Sequence, residues 1–227
     1  MNAPAAAPRH ADQQASLYTL GVIALVAVLI GLATAYAIDA ASRSSRLAPH
    51  RADASTVLTR TIGGREISIP QAWFRNPEGA SETFSKQVDL LRALPLGPGG
   101  ANRNIDVSLV PRSSVRASAR LLDGVYLHMF GTEEVAGPPG LIGKPLEASD
   151  GYSAETVWYD PISADPFVAK CSAPVVANGR STCLRVVYLA PALAAVYRFD
   201  ADVLDNWRSF DVQLGALMQR IGAATSG

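Results

Sequence analysis

The longest apolar stretch of the chain covers residues 17–38 and contains no charged side chain. As an α-helix it would be roughly 33 Å long, which exceeds the bilayer's hydrocarbon thickness of about 30 Å. The pattern therefore predicts one transmembrane helix at residues 17–38. Residues 1–16 before it are small and polar and indicate a flexible tail, and residues 39–55 after it lack periodicity and indicate a juxtamembrane linker.

Two further features belong to this stretch. Ala35-Tyr36-Ala37 has the small-x-small pattern of a signal-peptide cleavage site, but the apolar run is longer than a signal core of 7 to 15 residues. The length favours an uncleaved signal-anchor over a cleaved signal peptide. Ala27, Gly31 and Ala35 recur every four residues, which makes them a candidate packing site for a second transmembrane helix.

After residue 55 the polar and apolar positions first follow the period of β-strands. Two short runs rich in β-branched residues flank Gly63-Gly64 and predict a β-hairpin. Residues 88–94 form another apolar run, and residues 105–109 alternate as a half-buried strand does. Four later segments, separated by short turns, predict an antiparallel four-strand meander. They cover residues 154–159, 166–171, 182–189 and 193–199.

Two segments instead have the period of amphipathic helices. In the first, apolar residues recur at i, i+4, i+7, i+11 and i+14. They are Val115, Ala119, Leu122, Tyr126 and Met129. In the second, near the end of the chain, the apolar seam continues to i+18. It consists of Val203, Trp207, Phe210, Leu214, Leu217 and Ile221.

The order of these elements predicts an α+β fold. In it, an antiparallel sheet, formed by the hairpin and the four-strand meander, is covered by two amphipathic helices and preceded by one transmembrane helix. A single globular domain is predicted at residues 56–222, which is an ordinary domain size. In its order of elements this domain resembles the PsbP/Mog1-like fold. The resemblance implies binding or assembly rather than catalysis, and it carries over no functional residue because no motif matches.

Charge and cysteine content narrow the classes of function. Lysine and arginine total 20 and are balanced by 20 aspartates and glutamates, so the basic field that nucleic-acid binding requires is absent. The two cysteines, Cys171 and Cys183, flank a segment with the turn-forming pair Asn178-Gly179. We predict that they form a disulfide in an oxidising compartment; in the cytosol they would be two core thiols.

The usual reactive motifs are absent from the sequence, including HExxH, GxSxG and the phosphate-binding loop. We therefore predict no catalytic, cofactor-binding or metal-binding residue and no cofactor. Asp200, Asp202 and Asp205 have part of the spacing of a calcium loop, but the central glycine and the distal glutamate are missing. Capping of the second helix by Asp200 or Asp202 is the simpler interpretation.

A stripe of arginines is the candidate binding site. Arg112, Arg116 and Arg120 follow one another at intervals of four residues beside the apolar face of the first predicted helix. Asp123 lies three residues beyond Arg120, close enough on a helix to pair with it. The stripe is a hypothesis for binding an anionic partner; the alternative is a solvated helix flank whose stems cover apolar surface.

These observations predict a membrane-anchored, non-enzymatic interaction or assembly domain of the bacterial cell envelope. Its expected partners are the lipid bilayer, through residues 17–38, and an envelope protein, with self-association as a further hypothesis. The alternative is a small-molecule or lipid-binding domain with a pocket between sheet and helix, gated by residues 137–140. Arg43, Arg46 and Arg51 favour a cytosolic domain by the positive-inside rule, whereas the cysteine pair favours a periplasmic domain at the inner membrane, which we predict.

Overall fold

The computed structural model describes residues 28–29, 56–76, 84–147, 155–174 and 179–224. Except for Val28 and Leu29, the predicted tail, transmembrane helix and linker lie outside the described residues. The predicted helix-packing site of Ala27, Gly31 and Ala35 lies outside them as well.

Among the described residues, no helix is both long and apolar enough to cross a membrane. The predicted fold, with one transmembrane helix before the globular part, is therefore wrong as stated. The described part is an α+β fold that is mostly sheet and includes two α-helices. The strands are β1 (Val57–Ile62), β2 (Arg65–Pro70), β3 (Val88–Leu94), β4 (Arg103–Pro111), β5 (Ile142–Pro145), β6 (Glu155–Tyr159), β7 (Val168–Ser172), β8 (Thr182–Ala190) and β9 (Leu193–Asp200), and the helices are α1 (Ser118–Gly124) and α2 (Trp207–Arg220).

Seven of these strands form one sheet, in the order β3-β4-β9-β8-β7-β6-β5. All neighbours are antiparallel, and the register pairs Asp106 of β4 with Arg198 of β9. The four strands of the predicted meander are β6 to β9. The prediction missed that β5 extends the meander at one end, and that β4 and β3 continue the sheet beyond β9.

The β1–β2 hairpin is a separate two-stranded sheet. The hairpin itself was predicted correctly, but its inclusion in the main sheet was wrong. One of its faces carries Ile62, Ile67 and Ile69, which are buried in the same core as Ile105 and Val107 of the main sheet. The hairpin therefore covers a face of the sheet instead of extending an edge.

The main sheet separates two apolar clusters. The larger one contains Tyr197 of β9 and Phe210 of α2. The smaller one places Leu122 of α1 against Val157 and Val168 of the sheet. Because successive side chains of a strand point to opposite faces, α2 and the hairpin cover one face and α1 covers part of the other.

The first amphipathic helix is much shorter than predicted. A 3-10 turn at Arg112–Ser114 is followed by extended backbone at Val115, and α1 has only seven residues. Ser118 at its start accepts a hydrogen bond at 2.9 Å from the backbone N–H of Val186, and the helix ends at Gly124, a residue that disfavours helices. The apolar spacing indicated the correct packing face, but the local backbone interrupts the helix.

The predicted disulfide is present. Cys171 of β7 and Cys183 of β8 are directly opposite each other in the sheet and are bonded. Both side chains are buried, at 5 % and 0 % exposure. The bond therefore fixes the middle of the sheet, at the pair of strands that a loop connects.

Candidate anion-binding pocket

Three turns meet at one end of the sheet and form the floor of an open pocket. The β1–β2 turn approaches the β8–β9 turn so closely that a Cβ added to Gly63 would lie 2.9 Å from the carbonyl oxygen of Ala192. The same oxygen accepts a hydrogen bond of 2.9 Å from the backbone N–H of Arg112. Gly63 has φ of +56°, a conformation that glycine adopts readily. The backbone of the floor is therefore fixed by close contacts.

Tyr188 of β8 holds two of the arginines above this floor. The guanidinium carbon of Arg112 lies 4.0 Å from the centre of the Tyr188 ring, and that of Arg120 lies 5.6 Å from it. Both distances are within the range of cation–π interactions. The Tyr188 hydroxyl donates a hydrogen bond of 3.3 Å to the carbonyl oxygen of Val115. The ring is thereby oriented by the segment that carries Arg116.

We call this cavity the arginine pocket; it has a volume of about 580 Å³. Its lining residues are Gly63, Pro111, Arg112, Ser113, Val115, Arg116, Arg120, Tyr188, Pro191 and Ala192. No acidic side chain is among them. Within the described part of the chain, no carboxylate forms an ion pair with any of the three arginines, and the predicted pair of Arg120 with Asp123 is not formed.

This arrangement favours oxyanions. A guanidinium that stacks on an aromatic ring keeps its N–H groups at the edge of its plane, where they donate to carboxylate or phosphate oxygens in pairs. Three positive charges that no described carboxylate neutralises raise the local potential, although the whole chain has a net charge of zero. The pocket is therefore suited to bind groups that carry negative charge.

The structure brings together all three arginines that the sequence singled out. It does so through a turn and a tyrosine, because Arg112 lies in a 3-10 turn and only Arg120 belongs to α1. Sequence reasoning missed Tyr188. The available signal was its position in β8, where it shares a face with Val186 and Leu184 and follows their alternation.

The aspartates near the end of the chain have structural roles. Asp200 forms an ion pair of 2.9 Å with Arg180, and Asp202 forms one of 2.7 Å with Arg103. The hydrogen bond that Arg103 donates to the Asp202 carboxylate raises the pKa of the Arg103 guanidinium. Neither aspartate caps α2, which begins after Asn206 without a side-chain cap. The capping prediction was therefore wrong. The described residues also contain no group of three or more potential metal ligands.

No protein family model, no curated protein and no solved structure matches this chain. The resemblance of its element order to the PsbP/Mog1-like fold stays a prediction. The proposed function therefore rests on the geometry of the arginine pocket.

Proposed function

We propose that this chain is a non-enzymatic interaction domain that binds an anionic surface of a partner protein through the arginine pocket. One observation carries the proposal: Arg112 and Arg120 lie over the Tyr188 ring, Arg116 lines the same open pocket, and no described carboxylate pairs with any of the three. The alternative interpretation, a solvated helix flank, does not account for Arg112, which lies in a 3-10 turn outside α1 and yet lies over the same ring as Arg120. The expected partner contributes several carboxylates in a short segment.

The disulfide indicates the kind of compartment in which this interaction takes place. Disulfides persist in oxidising surroundings such as the bacterial periplasm and are rare in the cytosol. We propose that the domain meets its partner in the cell envelope, on the oxidising side. The buried position of Cys171 and Cys183 indicates a structural bond.

The first test measures binding of a synthetic hexaglutamate peptide to the purified chain by calorimetry. We expect binding at low salt that weakens at 0.5 M salt, because screening reduces charge attraction at exposed sites. Replacing Arg112, Arg116 and Arg120 together with Gln should weaken binding by about tenfold, since each exposed pair contributes roughly 0.5 kcal/mol. The matched control is Arg198→Gln, an exposed arginine outside the pocket.

The second test identifies the partner in cells of the source organism. A photoreactive amino acid replaces Ser113, which is exposed at the pocket, or in a control Val212, which is 71 % exposed on α2. We expect a crosslinked partner from position 113 that disappears when the three arginines are changed to Gln. Equal crosslinking in the wild type and the triple Gln variant would contradict the proposal, as would an equal affinity of both for hexaglutamate.

A further inference from the structure

A second concave site lies away from the arginine pocket, on the face of the sheet that α2 covers. It is bounded by strands β6 and β7, by the 3-10 helix Ala201–Asn206 and by residues 136–138. Its volume is about 330 Å³, at the lower end of the range for small-molecule sites. We call it the tryptophan cleft. Its lining residues are Ala136, Gly137, Pro138, Thr156, Trp158, Cys171, Ser172, Ala173, Ser181, Ala201, Leu204 and Asp205.

The floor of the tryptophan cleft is apolar and well packed. Trp158 of β6 is 9 % exposed, and its indole lies against the backbone of Gly137 and Gly143, where any added Cβ would overlap the ring. Leu204 and the bonded Cys171 complete the apolar surface. A ligand that enters the cleft therefore places an apolar body against the indole and the disulfide.

The loop that the sequence suggested as a gate is attached to α2. The carbonyl oxygen of Pro139 accepts two hydrogen bonds. The indole N–H of Trp207 donates one of 3.2 Å, and the guanidinium of Arg208 donates the other, of 3.1 Å. Gly140, at φ of +92°, follows directly, and an added Cβ there would overlap the Arg208 guanidinium. The wall formed by Gly137 and Pro138 is thus held in place, and the cleft is formed before a ligand arrives.

Asp205 supplies the only charge among the lining residues. It is exposed at the rim, and no ion pair of the described residues includes it. Arg208, one helical turn further on, donates to Pro139 and stacks on Trp207, 4.4 Å from the ring centre. The hydroxyl groups of Thr156, Ser172 and Ser181 add hydrogen-bonding capacity around the cleft.

We propose that the tryptophan cleft binds a small amine, with its apolar body on Trp158 and its ammonium group at Asp205. The volume equals about eleven times the roughly 30 Å³ that one water occupies in the liquid, which suits a ligand of about ten non-hydrogen atoms. An acyl chain of a lipid is longer than that, so the small-molecule form of the alternative function fits this cleft better. The proposal does not depend on the arginine pocket.

The test uses phenethylamine as the probe and follows the indole N–H resonance of Trp158 in the full-length chain, assigned with Trp158→Phe. Two matched probes have the same ring: neutral 2-phenylethanol and anionic 3-phenylpropanoate. We expect the amine to shift the resonance, with saturation at millimolar concentration. Its affinity should be about fivefold higher than that of the alcohol, and its advantage over the carboxylate should be larger still. An exposed ion pair accounts for this ratio.

Asp205→Asn should reduce the affinity for phenethylamine to that for 2-phenylethanol and leave the alcohol unchanged. Glu66→Gln, which removes an exposed carboxylate of the hairpin outside the cleft, should change neither. Equal affinities for the three probes, an unaltered preference in Asp205→Asn, or shifts confined to Trp73 would each overturn the proposal.

Discussion

At the scale of single residues, Tyr197 shows what burial does to a titratable group. Its ring lies in the larger core, 1 % exposed, and meets Phe210 edge to face at 5.6 Å between ring centres. Burial is the main cause that raises the pKa of its hydroxyl, and the nearby charge of Asp211 adds to the effect. The folded chain therefore keeps Tyr197 neutral at pH values where an unfolded tyrosine, with a pKa of about 10, ionises.

This difference predicts a loss of stability at alkaline pH. Because folding raises the pKa of Tyr197, its contribution to the free energy of unfolding is fully present below pH 10. Above pH 10 this contribution decreases by about 1.4 kcal/mol for each pH unit. Urea unfolding at pH 8 and pH 11 measures the decrease, and Tyr197→Phe should show a decrease that is smaller by about 1.4 kcal/mol. An identical pH dependence in the variant would show that Tyr197 ionises in the folded state.

At the scale of elements, one ion pair connects the sheet to α2. Arg185 of β8 is 6 % exposed and donates two hydrogen bonds to the carboxylate of Asp211, at 3.0 Å and 2.6 Å. It also donates to the carbonyl oxygen of Val168 and lies 4.4 Å from the centre of the Phe167 ring. A buried guanidinium depends on such partners, since an unpaired charge in the interior is costly.

Asp211→Ala should therefore destabilise the fold by about 2–3 kcal/mol, less than for a fully buried pair because Asp211 is half exposed. Adding Arg185→Met should recover part of the loss, because the double variant no longer buries an unpaired charge. Urea unfolding of the wild type, both single variants and the double variant measures the coupling. The comparison is Asp200→Ala, whose exposed pair with Arg180 should contribute at most about 1 kcal/mol; similar losses at both sites would contradict the argument.

Elements with regular alternation were predictable from the sequence, and irregular ones were not. The strands from β6 to β9 and the hairpin around Gly63 follow periods that burial of one face requires. β5 was missed because it has four residues in a stretch rich in glycine and proline. The first helix was predicted too long because side-chain spacing does not show the extended backbone at Val115, which depends on contacts with β8.

At the scale of the whole molecule, the candidate sites depend on contacts between distant segments. Arg112, Arg116 and Arg120 were visible in the sequence, but the position of Arg112 and Arg120 over Tyr188 depends on the fold around β8 and β9. The tryptophan cleft combines five separate segments and has no sequence motif. Local pattern reasoning therefore found the arginines and the cysteine pair but not the tertiary contacts that complete the pocket and the cleft.

The disulfide contributes to the stability of the whole fold. Cys171 and Cys183 are 12 positions apart, and closing a loop of this length restricts the unfolded chain by about 3 kcal/mol. The double variant Cys171→Ala, Cys183→Ala should therefore melt about 6–12 °C lower than the oxidised wild type. A reductant should lower the melting temperature of the wild type by a similar amount and leave the double variant unaffected; no difference between them would contradict this role.

The strand order also has a consequence for synthesis of the chain on the ribosome. One edge of β4 pairs with β3, and its other edge pairs with β9, where Asp106 lies opposite Arg198. β9 is the last of the described strands to be synthesised. Until β9 has emerged, β4 presents an unpaired strand edge, and such edges template aggregation. Chains that terminate between β4 and β9 are therefore expected to aggregate, and late pairing of distant strands makes folding slow compared with helical proteins of the same size.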